Sequence, residues 1–318
     1  MSVRKSLAWS FSQEFIQKGV RFAGSIAIAR LLTPDEVGVF SIAMAAYFLI
    51  ATFRDLGVNT YIVREPELTH DKVRTVFGIS LAIHWSLALL VVLVRNWLAE
   101  LYGEPGIAEV FLVVVMIFVL APLGGPAHAL LRRDMRFDLV HHIAAASVIT
   151  GTATSITLAA LDFSYMALAW GMLSGHIVRT VLTLMARRDH LRLVPGFRHW
   201  REVLQFGGWL TGASFAGTVS TEGTKLIVGG LLTPASLALV ERAQQVPRMA
   251  RQGLFIPARR VLIPSFSKDI RKGVSIGPSV ETYIGALTCI LWPLTSVLCL
   301  LSVPLVLFLF GDDWRIAG

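Results

Sequence analysis

Residues Val110–Leu131 read VFLVVVMIFVLAPLGGPAHALL and contain no Asp, Glu, Lys or Arg. The stretch is comparable in length to the roughly 20 residues that cross a bilayer as an α-helix. Hydrocarbon offers the backbone no hydrogen-bond partner, so an apolar stretch of this length forms a helix rather than an open strand. This segment therefore predicts a membrane-spanning helix, and it decides the fold class.

Stretches of the same kind recur along the whole chain. Of its 318 residues, 54% are hydrophobic and only 16% are charged, whereas a soluble domain has about 25% charged residues. The apolar stretches predict about nine transmembrane helices, at approximately Leu7–Leu31, Val37–Leu56, Val73–Leu98, Val110–Leu131, Leu139–Leu161, Tyr165–Met185, Val203–Leu232, Leu237–Pro257 and Ile284–Phe310. We therefore expect an all-α integral membrane protein.

The net charge of +8 would suit a nucleic-acid partner, but the basic residues lie in short clusters between the apolar stretches. These clusters occupy the N-terminus and every second connection, whereas the connections between them carry few Lys or Arg. Cytoplasmic loops of membrane proteins are enriched in Lys and Arg. The pattern predicts a multi-pass protein with a cytoplasmic N-terminus and no nucleic-acid partner.

Two short motifs occur twice in the chain. Leu31–Pro34 (LLTP) recurs as Leu231–Pro234, and Leu101–Glu104 (LYGE) has a counterpart in Leu309–Asp312 (LFGD). Both pairs are separated by six predicted helices, and an even number of spans gives the two copies the same orientation. The repeat predicts two parallel, pseudo-symmetric lobes related by an axis along the membrane normal, as in some transporters. Chance similarity of Leu-rich motifs is the alternative.

The repeat places the boundary between the lobes near residue 195. We expect an N-lobe with helices one to six at residues 1–195, and a partial C-lobe with helices seven to nine and the start of a tenth at residues 196–318. On this basis the second lobe is expected to be truncated. At the first LLTP copy, Thr33 is placed to cap the next helix, Pro34 to occupy its first position and Glu36 to complete a capping box.

Charged side chains inside membrane spans are costly and usually face a cavity or one another. In the first predicted helix, Glu14, Lys18 and Arg21 are spaced so that they share one face. The cationic candidates for a cavity between the lobes are Lys18, Arg21, Arg54, Lys225, Arg242, Arg248 and Arg251, and the candidate counter-ions or coupling groups are Glu14, Glu222 and Glu241. An excess of positive charge suits an anionic ligand such as a phosphate or diphosphate. Snorkelling at helix ends and ion pairing within the membrane are the alternative interpretation.

The sequence shows no sign of a catalytic centre. It contains no P-loop, no Gly-rich dinucleotide motif and no nucleophile elbow. Cys289 and Cys299 lie in one apolar stretch without a His or carboxylate cluster, which favours packing thiols over a metal site. His84, in an apolar helix, is interpreted as a hydrogen-bonded packing residue, with a proton relay as the alternative. We predict no catalytic residue, no metal and no cofactor.

Several motifs resemble those of one family. Ala29–Gly38, followed by Arg54–Gly57, is similar to the first two helices of bacterial polysaccharide exporters of the Wzx type. Leu130–Phe137, before the fifth helix, and the helix-ending turns Tyr102–Pro105 and Phe310–Trp314 resemble the same proteins. On these motifs the chain resembles the Wzx-type polysaccharide and O-antigen flippases. They belong to the multidrug/oligosaccharidyl-lipid/polysaccharide (MATE-like) superfamily.

The resemblance implies two lobes of six helices, alternating access and a cationic central cavity. It further implies that the protein is not an enzyme, and that it flips undecaprenyl-diphosphate-linked oligosaccharide across the bacterial cytoplasmic membrane for lipopolysaccharide or other surface polysaccharide. Its partners would be the lipid-linked oligosaccharide, membrane lipid and a polysaccharide polymerase or glycosyltransferase. Two alternatives stay open. A cation-coupled multidrug exporter of the same superfamily would favour an acidic or aromatic cavity, and a membrane enzyme such as a polymerase or ligase would need a large external loop or an acidic catalytic motif.

Overall fold

The computed structural model describes residues 17–54, 56–188, 194–249 and 277–318, and these ranges contain helices and turns but no strand. The helices are α1 (17–29), α2 (Pro34–Ala51), α3 (Val58–Arg64), α4 (His70–Tyr102), α5 (Pro105–Arg133), α6 (Phe137–Ala160), α7 (Met166–Ala186), α8 (Trp200–Thr218), α9 (Thr224–Leu231), α10 (234–249), α11 (Gly277–Leu300) and α12 (Ser302–Phe310). Short 3-10 turns follow α2, at Thr52–Arg54, and α12, at Asp312–Ala317.

Within the described ranges, six stretches are long and apolar enough to cross a membrane. They are Pro34–Arg54, His70–Tyr102, Pro105–Arg133, Phe137–Ala160, Met166–Ala186 and Tyr283–Leu300. The expectation of an all-α membrane protein is confirmed, and the number of nine spans stays a prediction. The chain divides into two compact units, Met1–Leu237 and Ala238–Gly318. These units do not test symmetry, so the expected lobes at 1–195 and 196–318 also stay a prediction.

The helix-capping pattern predicted at the first LLTP copy is present. Thr33 Oγ1 accepts a hydrogen bond from the Glu36 backbone N–H at 3.4 Å, and Glu36 Oε2 accepts one from the Thr33 backbone N–H at 2.8 Å. At the second copy, Thr233 Oγ1 accepts from the Ser236 backbone N–H at 3.2 Å. Both copies therefore start a helix in the same way, with a Ser in the second copy at the position of the Glu in the first.

The second pair of repeated motifs also has one structural role. Gly103 ends α4 with φ 66°, and Gly311 ends α12 with φ 99°. A glycine adopts this left-handed region without the steric cost that a Cβ would add, and helices commonly end in this way.

The connection predicted between the second and third spans contains a helix, α3, that the sequence analysis did not predict. Its Val58, Tyr61 and Ile62 are buried with residues of α4, α5 and α8, including Val203 of α8. The Arg133 guanidinium, at the end of α5, donates hydrogen bonds to the carbonyls of Ile62, Glu65 and Pro66. A cation at this position satisfies the free carbonyls at the C-terminus of a helix. Contacts from distant parts of the chain thus hold α3 in place.

Polar contacts attach the start of α8 to α3 and α4. The Tyr61 hydroxyl donates to Glu202 Oε1 at 2.7 Å, and Lys72 Nζ lies 3.4 Å from the same oxygen and 2.6 Å from Glu65 Oε1. The hydrogen bond from Tyr61 lowers the pKa of Glu202, whereas burial and the neighbouring Glu202 raise the pKa of Tyr61. Because the folded pKa of Glu202 is depressed, its stabilising contribution is present above its unfolded pKa and is lost as the pH falls through its folded pKa.

Two predicted spans are interrupted. Between α8 and α9, residues Val219–Gly223 form a π-helical turn, and the hydroxyl of Thr224 donates at 2.8 Å to the carbonyl four residues earlier. Such bonds from Ser or Thr loosen a helix, and π-helical turns recur at functional sites. The predicted ninth span breaks at Leu301. Pro304 explains this break, because proline has no N–H and its ring clashes with the carbonyl of Leu300, four residues earlier.

The second LLTP copy packs against α2 within the first unit. A Cβ on Gly38, at the start of α2, would lie 2.0 Å from the Pro234 carbonyl oxygen. One on Gly229 of α9 would lie 2.8 Å from Ile42 Cγ1. The Tyr102 hydroxyl, at the end of α4, donates to the carbonyl of Leu226 at 3.0 Å. The start of α2 and the end of α4 thus pack directly against α9 and the turn that follows it.

Gly38→Ala is expected to destabilise this contact. The added methyl group would overlap the backbone of Pro234, and overpacking of this kind costs about 1–3 kcal/mol. Gly217→Ala is the matched control, because a Cβ there meets nothing within 4 Å and replacing a helical glycine by alanine adds about 0.5–1 kcal/mol of stability. Thermal unfolding of the two purified variants in detergent measures the difference. Equal melting temperatures would contradict the close approach of α2 to Pro234.

Candidate functional site

A cavity of about 250 Å³ lies inside the first unit. We call it the N-unit cavity; its walls come from the 3-10 turn after α2 and from α3, α4, α5 and α7. The basic residues that line it are Arg54, His84, His128, Arg132, His176 and Arg179. Among the described residues, no Asp or Glu lines it. The walls therefore combine three permanent cations with three imidazoles and supply no opposite charge.

The local sequence of α5 opens this cavity. The helix contains two internal prolines, which remove backbone hydrogen bonds and bend a helix. Gly124 and Gly125 lie between these prolines and have no side chains to fill the space. A Cβ on Gly124 would lie 3.4 Å from Thr180 Cα, so α5 and α7 approach closely there. His128 follows Gly124 by one helical turn and therefore lies on the same face of α5.

The α7 wall is a polar stripe on an otherwise apolar helix. His176, Arg179, Thr180 and Thr183 all line the cavity. Their spacing of three, one and three residues places them on one helical face. Thr180 and Thr183 are buried, and Thr183 Oγ1 donates to the Arg179 carbonyl at 2.7 Å. The two threonines thus lie inside the protein, whereas Arg179 is exposed.

The arginines of this region lie close to one another. Arg54 and Arg21 are near enough to Arg179 for their positive charges to repel it. The Arg54 guanidinium donates to the neutral Tyr47 hydroxyl at 3.3 Å. Two of the predicted cationic residues, Arg21 and Arg54, therefore belong to one positive region, together with an arginine that was not predicted.

Two histidines of the cavity have defined contacts. The Arg179 guanidinium lies 3.4 Å from His128 Nε2, and His128 Nδ1 is buried with no hydrogen-bond partner in the described part of the chain. His84 Nδ1 lies 2.8 Å from the Ser80 carbonyl oxygen. Because a carbonyl only accepts, His84 donates there. This contact agrees with its interpretation as a hydrogen-bonded residue, but His84 also lines the cavity.

The remaining candidates of the first unit lie on α1 and in the region of the π-helical turn. Lys18 and Arg21 are exposed on α1. Lys225 Nζ lies 2.9 Å from Glu222 Oε2, with 21% and 13% of the two side chains exposed. Lys225 therefore has its counter-ion three residues earlier, in the π-helical turn that precedes α9. Glu14 lies outside the described residues.

In the second unit, Arg242 packs against aromatic rings. Its guanidinium carbon lies 5.4 Å from the ring centre of Phe310 and 4.9 Å from that of Trp314. It also donates to Gln245 Oε1 at 2.9 Å, and the residue is only 9% exposed. Cations over aromatic faces are attracted by the ring quadrupole. These contacts give Arg242 a packing role within the second unit.

The other predicted residues of the second unit lie on or near α10. Arg248 donates to Gln244 and lines a groove of about 590 Å³ between α10 and α11. Glu241 is half-buried, and its charge acts on Arg242. Arg251 lies outside the described residues. A single central cavity formed by all the predicted residues stays a prediction.

Four residues of the cavity lining are not among the candidates that the sequence indicated. They are His128, Arg132, His176 and Arg179. A signal for two of them was present, because His176 and Arg179 begin a polar stripe at helical spacing on α7. His128 had a weaker signal, as one polar side chain within an apolar helix. Its position in the cavity depends on the Pro/Gly segment of α5 and on the packing of α7.

Long apolar helices around a cavity lined by arginine and histidine define a polytopic membrane protein. The backbone is similar to a multidrug resistance transporter of the MATE family, of the MOP superfamily, solved in an inward-facing conformation. The TM-score is 0.66 and the identity 14%, over 95% of this chain and 74% of that one. The likeness shows the fold, which is MATE-like.

The chain matches the family described as "Polysaccharide biosynthesis protein" over residues 27–317, and it belongs to this family. It is 22% identical over 312 residues to the lipopolysaccharide biosynthesis protein WzxC of Escherichia coli (strain K12). It is 23% identical over 318 residues to the succinoglycan biosynthesis transport protein ExoT of Rhizobium meliloti (strain 1021). The alignments cover 96% and 99% of this chain but 63% and 64% of the relatives, so the chain spans less than two thirds of their length. The resemblance to Wzx-type polysaccharide flippases is confirmed.

Arg242→Gln is expected to destabilise the second unit more than Arg248→Gln. The first substitution removes a cation from two aromatic faces, each worth about 0.5–2 kcal/mol. The second removes a half-buried guanidinium whose hydrogen bond lies within one helix. Unfolding followed by tryptophan fluorescence measures both variants, because Trp314 lies at the Arg242 contact. The opposite ranking would argue against a packing role for Arg242.

Proposed function

We propose that this protein is a flippase that moves undecaprenyl-diphosphate-linked oligosaccharide across the bacterial cytoplasmic membrane, by alternating access of two parallel lobes. Its product would supply the assembly of a surface polysaccharide. The family and the names of the relatives support a role in polysaccharide transport. The observation that carries the proposal is the presence of Arg54, Arg132 and Arg179 in the lining of one cavity, whose described residues include no carboxylate.

The grouped cations favour an anionic substrate. A cation within a membrane protein is retained where it faces water, a counter-ion or a ligand. Grouping several cations is unfavourable, unless an anion joins them during the working cycle. A diphosphate linked to a lipid supplies such an anion, and guanidinium groups match phosphate oxygens with paired hydrogen bonds.

We assign the other predicted residues roles that fit their surroundings. Lys18 and Arg21 of α1 would reach the sugar or diphosphate from the first lobe, with a cytoplasmic N-terminus. Lys225, paired with Glu222 near the π-helical turn, would act as a switchable ion pair when the cavity fills. The ligand would lie between protein and bilayer, with its lipid tail among membrane lipids and its glycan passed to a polymerase or received from a glycosyltransferase.

Export of cationic drugs fits this cavity less well. A cationic drug needs carboxylates or aromatic faces for its charge, whereas the lining of the N-unit cavity that the structure describes contains arginine and histidine but no carboxylate. The MATE-like fold does not decide between the two substrates, because related folds carry different functions. The proposal includes no catalytic step.

Replacing Arg21 and Arg54 together by Gln is expected to abolish export, because the two predicted cations that act on Arg179 would be lost. The variant is expressed as the full-length protein in a strain that lacks its own copy, and surface polysaccharide is measured alongside the amount of protein in the membrane. Arg95→Gln is the matched control, since Arg95 lies on α4 and is not part of the cavity lining. Normal surface polysaccharide in the double variant would refute the proposed role of these residues.

A further inference from the structure

We infer that residues 194–201, which lead into α8, form a membrane anchor that binds the headgroups of anionic phospholipids. None of these residues lines the N-unit cavity, and the inference goes beyond the proposed function. Three observations carry it: the level of the segment in the membrane, its attachment to α4, and its combination of exposed apolar and basic side chains.

The length of α4 places the 194–201 segment at the membrane surface. With 33 residues, α4 is about 50 Å long, whereas the hydrocarbon core of a bilayer is about 30 Å thick. The two ends of α4 therefore extend into the headgroup regions, by about 10 Å each on average. The segment contacts Arg74, Thr75 and Gly78, near the start of α4. It accordingly lies at headgroup level, at the end of the bundle that the charge pattern predicts to be cytoplasmic.

Backbone contacts hold the segment against α4. The Gly196 backbone N–H donates to the Arg74 carbonyl at 3.0 Å, and the Arg74 guanidinium donates to the Val194 carbonyl at 3.0 Å. A Cβ on Gly78 would lie 2.3 Å from the Gly196 carbonyl oxygen, so the glycine permits this close approach. The backbone of the segment is thus positioned before a ligand binds, which reduces the entropy cost of binding.

The large apolar side chains of the segment are exposed. The exposed fraction is 60% for Val194, 56% for Phe197 and 47% for Trp200. Their exposure to water would be unfavourable, but Trp is enriched at the membrane interface because its ring is apolar with one polar N–H. Amphipathic helices that lie in this interface combine Trp and Phe with Lys and Arg. The composition of the segment is of the same kind.

The permanently charged side chains of the segment are two arginines. Arg198 is 80% exposed, and its Nη1 lies 3.5 Å from Asp71 Oδ2, while Arg74 Nη1 lies 3.8 Å from Asp71 Oδ1. The Arg201 guanidinium carbon lies 5.3 Å from the ring centre of Trp200. One carboxylate shared by two arginines leaves positive charge in excess. Each Lys or Arg near an anionic leaflet strengthens membrane association about fivefold.

The ligand that fits both kinds of side chain is a bilayer lipid with a negative headgroup, such as phosphatidylglycerol. Its phosphate would bind Arg198 and Arg201, because guanidinium groups match phosphate oxygens with paired hydrogen bonds. Its acyl chains would cover Phe197 and Trp200. A free anion would leave these apolar side chains in water, and a zwitterionic lipid would bring a positive group close to the arginines.

Brominated lipids test the contact directly, because bromine quenches the fluorescence of a tryptophan that it touches. The full-length protein is reconstituted into vesicles of equal parts phosphatidylcholine and phosphatidylglycerol, in which one of the two lipids carries bromine on its acyl chains near the headgroup. The difference between the original protein and Trp200→Phe isolates the signal of Trp200. Brominated phosphatidylglycerol is expected to quench Trp200 more strongly than brominated phosphatidylcholine, and added salt should reduce this preference.

The double variant Arg198→Gln/Arg201→Gln tests the charge. Its preference of Trp200 for phosphatidylglycerol is expected to fall about fivefold or more, as for loss of basic residues near an anionic surface. Arg95→Gln is the matched control, because Arg95 lies towards the other end of α4, and it should keep the preference. Gly78→Ala tests the attachment. Its methyl group would overlap the Gly196 carbonyl, so the preference should fall although both arginines are present.

Three results would overturn the inference. If neither brominated lipid quenches Trp200, the segment is covered by protein or lies in water. Equal quenching by the two lipids in the original protein would exclude a preference for anionic headgroups. An unchanged preference in the double variant would exclude the two arginines as its cause. None of these results bears on export, so failure of the anchor would leave the flippase proposal standing.

Discussion

The membrane offers a charged side chain no solvent, and this constraint governs how the functional residues are arranged. Each guanidinium within the helix bundle must reach water, a counter-charge or a ligand. Lys225 has Glu222 beside it on the same helix, and Arg242 lies against two aromatic rings. The arginines around the N-unit cavity are different, because the described lining offers them hydroxyl and imidazole groups but no carboxylate. The positive charge there is consequently available to an anion from outside the protein.

The cavity depends on the prolines and glycines of α5 as much as on the charged side chains that line it. Prolines and glycines in the middle of α5 take away hydrogen bonds and side-chain volume at the level where α7 presents its polar stripe. Elsewhere the same unit is tightly packed, as at Gly171 of α7, where a Cβ would overlap the Ser155 hydroxyl of α6. Small residues allow close packing of helices in membranes. At α5 the same residue types, combined with prolines, leave a space that imidazole and guanidinium groups border.

Hydropathy and capping chemistry predicted the parts of the fold that depend on local sequence. The helix start at Thr33 and the helix end at Gly103 follow from side-chain and backbone chemistry within a few residues. Helix α3 could not be predicted in this way, since its stability depends on Val203 and on the Arg133 guanidinium, both distant in sequence. The same distinction between local sequence and distant packing applies to the residues of the candidate site. Arg54 could be selected as a charge at the end of a span, but His128 becomes a site residue only through the packing of α5 against α7.

The repeated segments of the chain differ in their contacts and in their charges. Similar turns start α2 and α10, and Pro234 of the second turn packs against Gly38 within α2. The two helices that the sequence repeat predicts to be equivalent differ in the surroundings of their cations. Lys225 is paired with Glu222, whereas the charge of Arg21 acts together with that of Arg54 on Arg179. On the proposed function, this difference would place the negative charge of the ligand near the arginines of the first unit.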